Sequence, residues 1–224
     1  LPALAVAAVF AFAFAAPVAA HHPVGYGPLV TAAELRDAHG DADLLILDIR
    51  SGTAGGVQVH AAGHIPDAVA APYDLFRGPA ENPGKLPDEA TLASLLRSLG
   101  ISEDHAVVIV HQGVDETDFG AAARVYWTLK SSGVVALSIL NGGMNAWTAA
   151  GYETSRAPVT PTPSQIEVTF SHEWLATTQD VTAIVEGRAT ATLLDARSEA
   201  FWAGDAAHPA ALRPGTLPQS RYFT

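Results

Sequence analysis

Apolar positions along the chain fall in short blocks divided by polar, Gly-bearing and Pro-bearing stretches. Nearly continuous apolar runs at 44–47 ("LLIL"), 69–71, 107–110 ("VVIV") and 136–140 predict buried strands, because so few polar positions suit a sheet covered on both faces. Between these runs the apolar spacing becomes helical. Thr31-Ala-Ala-Glu34 has the form of a capping box and opens a helix over 31–38. Leu92, Leu95, Leu96 and Leu99 share one face of a helix over 88–99 that stops at Gly100. Further helices are expected over 120–131 and from "NGGMNAW" to Gly151. Strands alternating with helices predict an α/β fold, a central, largely parallel sheet flanked by helices.

The pattern repeats. "LLILDIRSG" (44–52) returns as "ATLLDARSE" (191–199), and "GHIPDA" (63–68) returns as "GTLPQS" (215–220). A helix start precedes each copy, at Thr31 and, more loosely, at Ser171 to Trp174. Matches in the same order point to an internal duplication. The expected organisation is one domain over 28–155, a Pro-rich linker ("APVTPTPS") within 156–168, and the N-terminal part of a second, incomplete copy over 169–224. The second counterpart of the loop at His111 is expected beyond Thr224. A strand without its sheet leaves backbone groups unpaired. The first domain is therefore expected to fold alone, and Phe170, Trp174, Phe201 and Trp202 to lack a core of their own.

Charge and composition narrow the chemistry. With 12 basic against 23 acidic residues the net charge is −11, which argues against a nucleic-acid binder. The chain has no cysteine, which removes disulfides, thiolate metal sites and thiol chemistry from these 224 residues. Residues 1–20, "LPALAVAAVFAFAFAAPVAA", are apolar and uncharged and end in small residues, as a secretory signal does. The mature chain is expected to be exported, periplasmic or secreted, with no stable membrane anchor after signal cleavage. His21-His22 is the one metal candidate, and with the other histidines read as scattered, without H-x-x-x-H or H-E-x-x-H spacing, no metal and no cofactor is expected. "GPAENPGK" (78–85) has the wrong spacing for a phosphate loop, and Leu86 stands where Ser or Thr would hold magnesium. No G-x-S-x-G is present.

The stretch "VVIVHQGVDETDFGAAARVYW" (107–127) reads as strand, loop and helix, an arrangement that cradles anions and nucleophiles through backbone N–H groups and the helix N-terminus. Asp-x-Arg-Ser after the first strand, "GHIPDAVAAPYDLFRG", this loop and "ILNGGMNAW" together resemble the rhodanese-like sulfurtransferases in their tandem form. The resemblance implies sulfane-sulfur transfer from a small anionic donor such as thiosulfate to a thiophilic acceptor, through a Cys persulfide in the second domain. It also implies an inactive first domain, with His111 in the nucleophile position and "HQGVDETDFG" longer than the active six-residue loop. Asp115, Glu116 and Asp118 bring negative charge to the anion's place. Phe201 stands where an anion-holding Arg is expected in the second copy, which weakens thiosulfate as donor. The alternative is a non-catalytic binding or scaffold module of the same fold.

No catalytic residue is assigned within the chain. His111, Gln112, Gly113, Gly120 and Arg124 make up the degenerate loop of the first domain. His111 is either a residual ligand or proton donor or, the favoured reading, a cap on the strand end. Arg124 is expected to pair with a nearby carboxylate, Asp118 first, rather than with a bound anion. Asp48 with Arg50, and Asp195 with Arg197, are expected to be structural ion pairs at strand ends. His64 and Pro66 are expected to fix a turn.

Overall fold

A computed structural model describes residues 27–209 and 211–223. The expected signal over 1–20 and the His21-His22 pair lie outside them. The chain divides into two units, Leu1–Val168 and Thr169–Thr224.

The first unit opens with strand β1 (Leu29–Val30) and helix α1 (Ala32–Ala38), whose start is the Thr31–Glu34 capping box. Strand β2 (Leu44–Asp48) leads to a small antiparallel hairpin, β3 (Thr53–Ala54) with β4 (Val57–Gln58), and to the single-turn helix α2 (Val59–Ala62). Strand β5 (Val69–Ala70) and a 3-10 turn, Tyr73–Phe76, follow. Asp88 caps α3 (Glu89–Ser98) by accepting the Thr91 N–H at 2.9 Å. Then come β6 (Ala106–Val110), α4 (Glu116–Ser131), β7 (Leu137–Leu140) and α5 (Gly143–Ala149).

The five strands of the main sheet run in the order β1-β7-β6-β2-β5, and every pairing is parallel. β6 lies at the centre, and all five of its residues are buried. Side chains alternate across the sheet. Ile46, Val108 and Val110 join Val30, Leu35, Leu140, Met144 and Trp147 in one cluster. Leu47, Val107 and Ile109, also fully buried, face the other way.

Two local expectations change. Helix α4 begins at Glu116, not Gly120, because Asp115 accepts the Asp118 N–H at 2.9 Å and caps it. Gly120 is therefore a helix residue with open space where a Cβ would stand, not part of the loop. The loop itself is only 111–114 plus that cap, so the reading of a lengthened loop is withdrawn. The Pro-rich stretch is strapped to the first unit: Ser164 N–H donates to Arg97 O at 3.0 Å, Arg97 Nε to Ile166 O at 2.8 Å, and Ile166 is buried.

The second unit has helix α6 (Thr178–Val185), strand β8 (Leu194–Asp195), helix α7 (Glu199–Ala203) and strand β9 (Arg221–Tyr222). Its capping box is Thr177 with Asp180, and Ser171 only closes a turn before it. β8 pairs with β9 in parallel. Asp195 alone among the described residues of this unit is buried.

Candidate functional site

β2 and β6 end side by side, with Asp48 opposite Val110. Arg50 and His111 therefore emerge together at the C-terminal edge of the sheet, where parallel α/β folds place ligands. Arg50 is held by the protein's own acceptors. Its Nε and Nη2 donate to the Asp48 carboxylate at 2.9 and 2.6 Å, Nη2 also donates to Gly63 O at 2.7 Å, and Nη1 to Gln112 Oε1 at 3.3 Å. One guanidinium thus ties the strand end, the Gly63 turn and the 111–114 loop together. Its partner Asp48 is fully buried and Arg50 nearly so, as a paired internal charge must be.

The loop after β6 is closed around Asp118. Its carboxylate accepts backbone N–H groups from Gln112 at 3.2 Å, Gly113 at 2.5 Å and Val114 at 3.2 Å, and His111 Nδ1–H at 2.8 Å. Asp118 is the third residue of α4 after its cap, the position from which an acidic side chain folds back over a helix start. Burial alone would raise its carboxyl, but the bonds from His111, Gly113, Val114 and Gln112 outweigh it and hold the group below the ordinary carboxylate value. A second anion about 4 Å away would be repelled by on the order of 4 kcal/mol near a protein surface. The cradle is filled by the chain's own carboxylate.

The floor of the loop is equally committed. Met144 N–H donates to His111 O at 2.8 Å and Asn145 N–H to Gln112 O at 2.9 Å. The Asn145 side chain accepts from Gln112 Nε2 at 2.8 Å and donates to Gly113 O at 3.1 Å. Two glycines permit this approach: a Cβ on Gly113 would stand 1.9 Å from Gly142 O, and one on Gly143 would stand 2.4 Å from His111 O. Both have positive φ. This is the physical content of "NGGMN".

His111 is 3% exposed, and its Nε2 is buried without a hydrogen-bond partner among the described residues. It offers no nitrogen to a substrate. Arg124 does not pair with Asp118, contrary to expectation. Asp118 turns back into the loop, while Arg124, two turns along α4, donates from Nη2 to Gly84 O at 2.8 Å and lies over the Trp127 ring. The expectation of no H-x-x-x-H spacing is corrected by His60-Ala-Ala-Gly-His64, whose rings stack with centroids 3.9 Å apart. Each ring is fixed by a carbonyl, His60 Nε2 to Ala68 O at 2.7 Å and His64 Nδ1 to His60 O at 2.8 Å. No group of three or more metal-ligating side chains occurs among the described residues.

In the second unit Asp195 and Arg197 repeat the strand-end pair. Arg197 Nε and Nη2 donate to the carboxylate at 2.9 and 2.6 Å, and Nη2 reaches Gly215 O at 2.9 Å. The Arg197 contacts, with a Thr216 hydroxyl bond at 2.6 Å, hold the Asp195 carboxyl well below the usual range. Phe201 lies under this guanidinium, 5.7 Å from centroid to Cζ.

A model of the rhodanese-like domain matches residues 31–150. The chain belongs to the rhodanese-like family. Among the sulfurtransferases of that family it is similar to the 3-mercaptopyruvate sulfurtransferase of Escherichia coli, 28% identical over 80% of this chain and 64% of that protein. SseB of Mycobacterium tuberculosis is 31% identical over 79% of this chain and 63% of its own length. The chain thus spans less than two thirds of these relatives. The crystal structure of SseA, a 3-mercaptopyruvate sulfotransferase from Escherichia coli, superposes with a TM-score of 0.70 at 25% identity, covering 88% of this chain and 74% of that one. Active rhodanese-like chemistry needs a polarizable thiolate, and these 224 residues contain none.

Proposed function

We propose that this chain is part of an exported tandem sulfurtransferase that moves sulfane sulfur from a small anionic donor to a thiophilic acceptor, and that its first rhodanese-like domain is the non-catalytic half. The observation that carries the reading is Asp118, whose carboxylate fills the anion cradle. Absence of cysteine supports the same division of labour, with the persulfide thiolate supplied by residues outside the 224. The repeated Asp-x-Arg bracket supports a second copy of the same unit. Export is supported by the apolar, uncharged start of the chain, and cell fractionation tests it.

The decisive assay is thiocyanate formation from thiosulfate and cyanide. Purified Leu1–Thr224 is expected to form none. A longer natural chain carrying a loop cysteine in the second unit is expected to form thiocyanate and to hold one sulfur on that cysteine. Turnover by the 224 residues that a His111 substitution abolishes would overturn the proposal. A longer chain with Asp, His or Ser in that loop would favour the scaffold reading instead.

A further inference from the structure

Three basic residues meet at the neck of the loop over 78–85, outside the site above. The loop closes on itself: Asn82 N–H donates to Pro79 O at 2.8 Å, Lys85 N–H to Asn82 O at 3.0 Å and Gly78 N–H to Pro83 O at 3.3 Å. Its two ends touch, since a Cβ on Gly78 would stand 3.0 Å from the Lys85 Cβ and 2.7 Å from its carbonyl oxygen. Arg77 and Lys85 therefore leave the same base. Arg124 reaches that base from α4 through the Gly84 carbonyl at 2.8 Å. The Tyr73–Phe76 turn packs on α4 and contributes the Tyr73 hydroxyl, which accepts from Arg77 Nη1 at 3.4 Å.

None of the three makes an ion pair among the described residues, in a chain of net charge −11. Asp74 and Glu81, two of the acids near them in sequence, pair with none of them, and the Asp88 carboxylate is spent on Thr91 at the start of α3. Each guanidinium instead lies over a ring, Arg77 5.3 Å from the Tyr73 centroid and Arg124 4.8 Å from that of Trp127. Beyond those ring contacts Arg77 keeps its Nε and Nη2 N–H groups, which match an oxyanion as a fork, whereas the Arg124 Nε is buried and its Nη2 is held by Gly84, which leaves Nη1. Burial lowers Arg124 below its ordinary value, against an opposing effect of Tyr73, and the Arg77 charge adds a smaller push in the same direction as burial. Like charges held together without a counter-ion repel, and an anion between them reverses the sign. Two half-buried guanidiniums with only neutral acceptors, beside an exposed lysine, are an unfinished electrostatic arrangement.

We infer that Arg77, Lys85 and Arg124 form a binding site for a small, doubly charged tetrahedral oxyanion of the sulfate, thiosulfate or phosphate type. The inference is independent of the proposed function, because among the described residues no hydrogen bond or ion pair joins these three to the 111–114 loop. The test is a titration of the ¹⁵N-labelled 224-residue chain with sodium sulfate against sodium chloride at matched ionic strength. Sulfate is expected to shift the amides of Gly78, Gly84 and Lys85 to saturation, while chloride leaves them in place. Arg77→Gln with Lys85→Gln should weaken binding about tenfold or more, as the loss of charge-assisted contacts requires. Arg36→Gln, which removes a guanidinium already paired with Asp37, should leave it unchanged. If the double variant misfolds, Lys85→Gln alone, at an exposed position, should still weaken sulfate binding severalfold. Shifts that chloride reproduces, that never saturate, or that survive loss of the cations overturn the site.

Discussion

The strand-end brackets of the two units are built from the same hydrogen bonds but live in different surroundings. Arg50 and Arg197 both grip an aspartate two residues back, both through Nε and Nη2, and both reach a glycine carbonyl in the following turn. β2 and β5 register as Leu47↔Val69 and Asp48↔Ala70, and β8 with β9 as Leu194↔Arg221 and Asp195↔Tyr222. Yet Leu47 is 0% exposed and Leu194 57%. The difference is β6, which covers the other edge of β2 and has no counterpart beside β8 among the described residues. Bracket geometry is thus a local property of Asp-x-Arg and its glycine turn, while burial belongs to the sheet.

The largest expected effect breaks the buried bracket. Asp48→Ala strands a nearly buried Arg50 charge and should cost about 3–5 kcal/mol in urea unfolding. Asp118→Asn removes the charge that gathers three backbone N–H groups and His111, and should cost about 1–3 kcal/mol. Asp195→Ala acts on a half-exposed Arg197 and should cost about 1 kcal/mol, read as faster amide exchange in the second unit only. Equal costs for Asp48→Ala and Asp195→Ala would show that burial is not what separates the units.

A pH series sharpens the same contrast at smaller amplitude. His60, in the first unit, is held below its ordinary value chiefly by burial, with His64 adding to it. The unfolded chain therefore binds the proton more readily. The stabilising contribution is present above about pH 6.5 and is lost as pH falls below it. Asp118 and Asp195 have depressed values, so their contributions are present above about pH 3.9 and are lost as pH falls through the folded values. The first unit should thus soften in mild acid before the carboxylates act. His60→Gln should flatten that early slope and leave the later one. A wild-type slope that persists in this variant assigns it to another group.

Much of the first unit was legible in sequence. The "LLIL" and "VVIV" runs form β2 and β6, and the Thr31 box caps α1 as written, because burial on both faces and capping chemistry leave short, local signatures. β1 was missed: two residues long, it exists only through pairing with β7. The chemistry of the loop was read by sign rather than by place. Asp115 and Asp118, three apart, carried the pattern of a helix cap, which would have moved the α4 start back to Glu116 and aimed Asp118 at the loop. Arg124 could not be placed from sequence, since its acceptor, Gly84 O, lies 40 residues away.

The central claim is that the chain's own carboxylate occupies the first anion cradle. Sulfate titration of the Asp118→Ala variant beside wild type tests it most directly, read at the amides of Gln112, Gly113 and Val114. The variant should show saturable shifts at all three, and the wild type none. Sulfate-dependent shifts there in the wild type, or three unmoved amides in the variant, would contradict it.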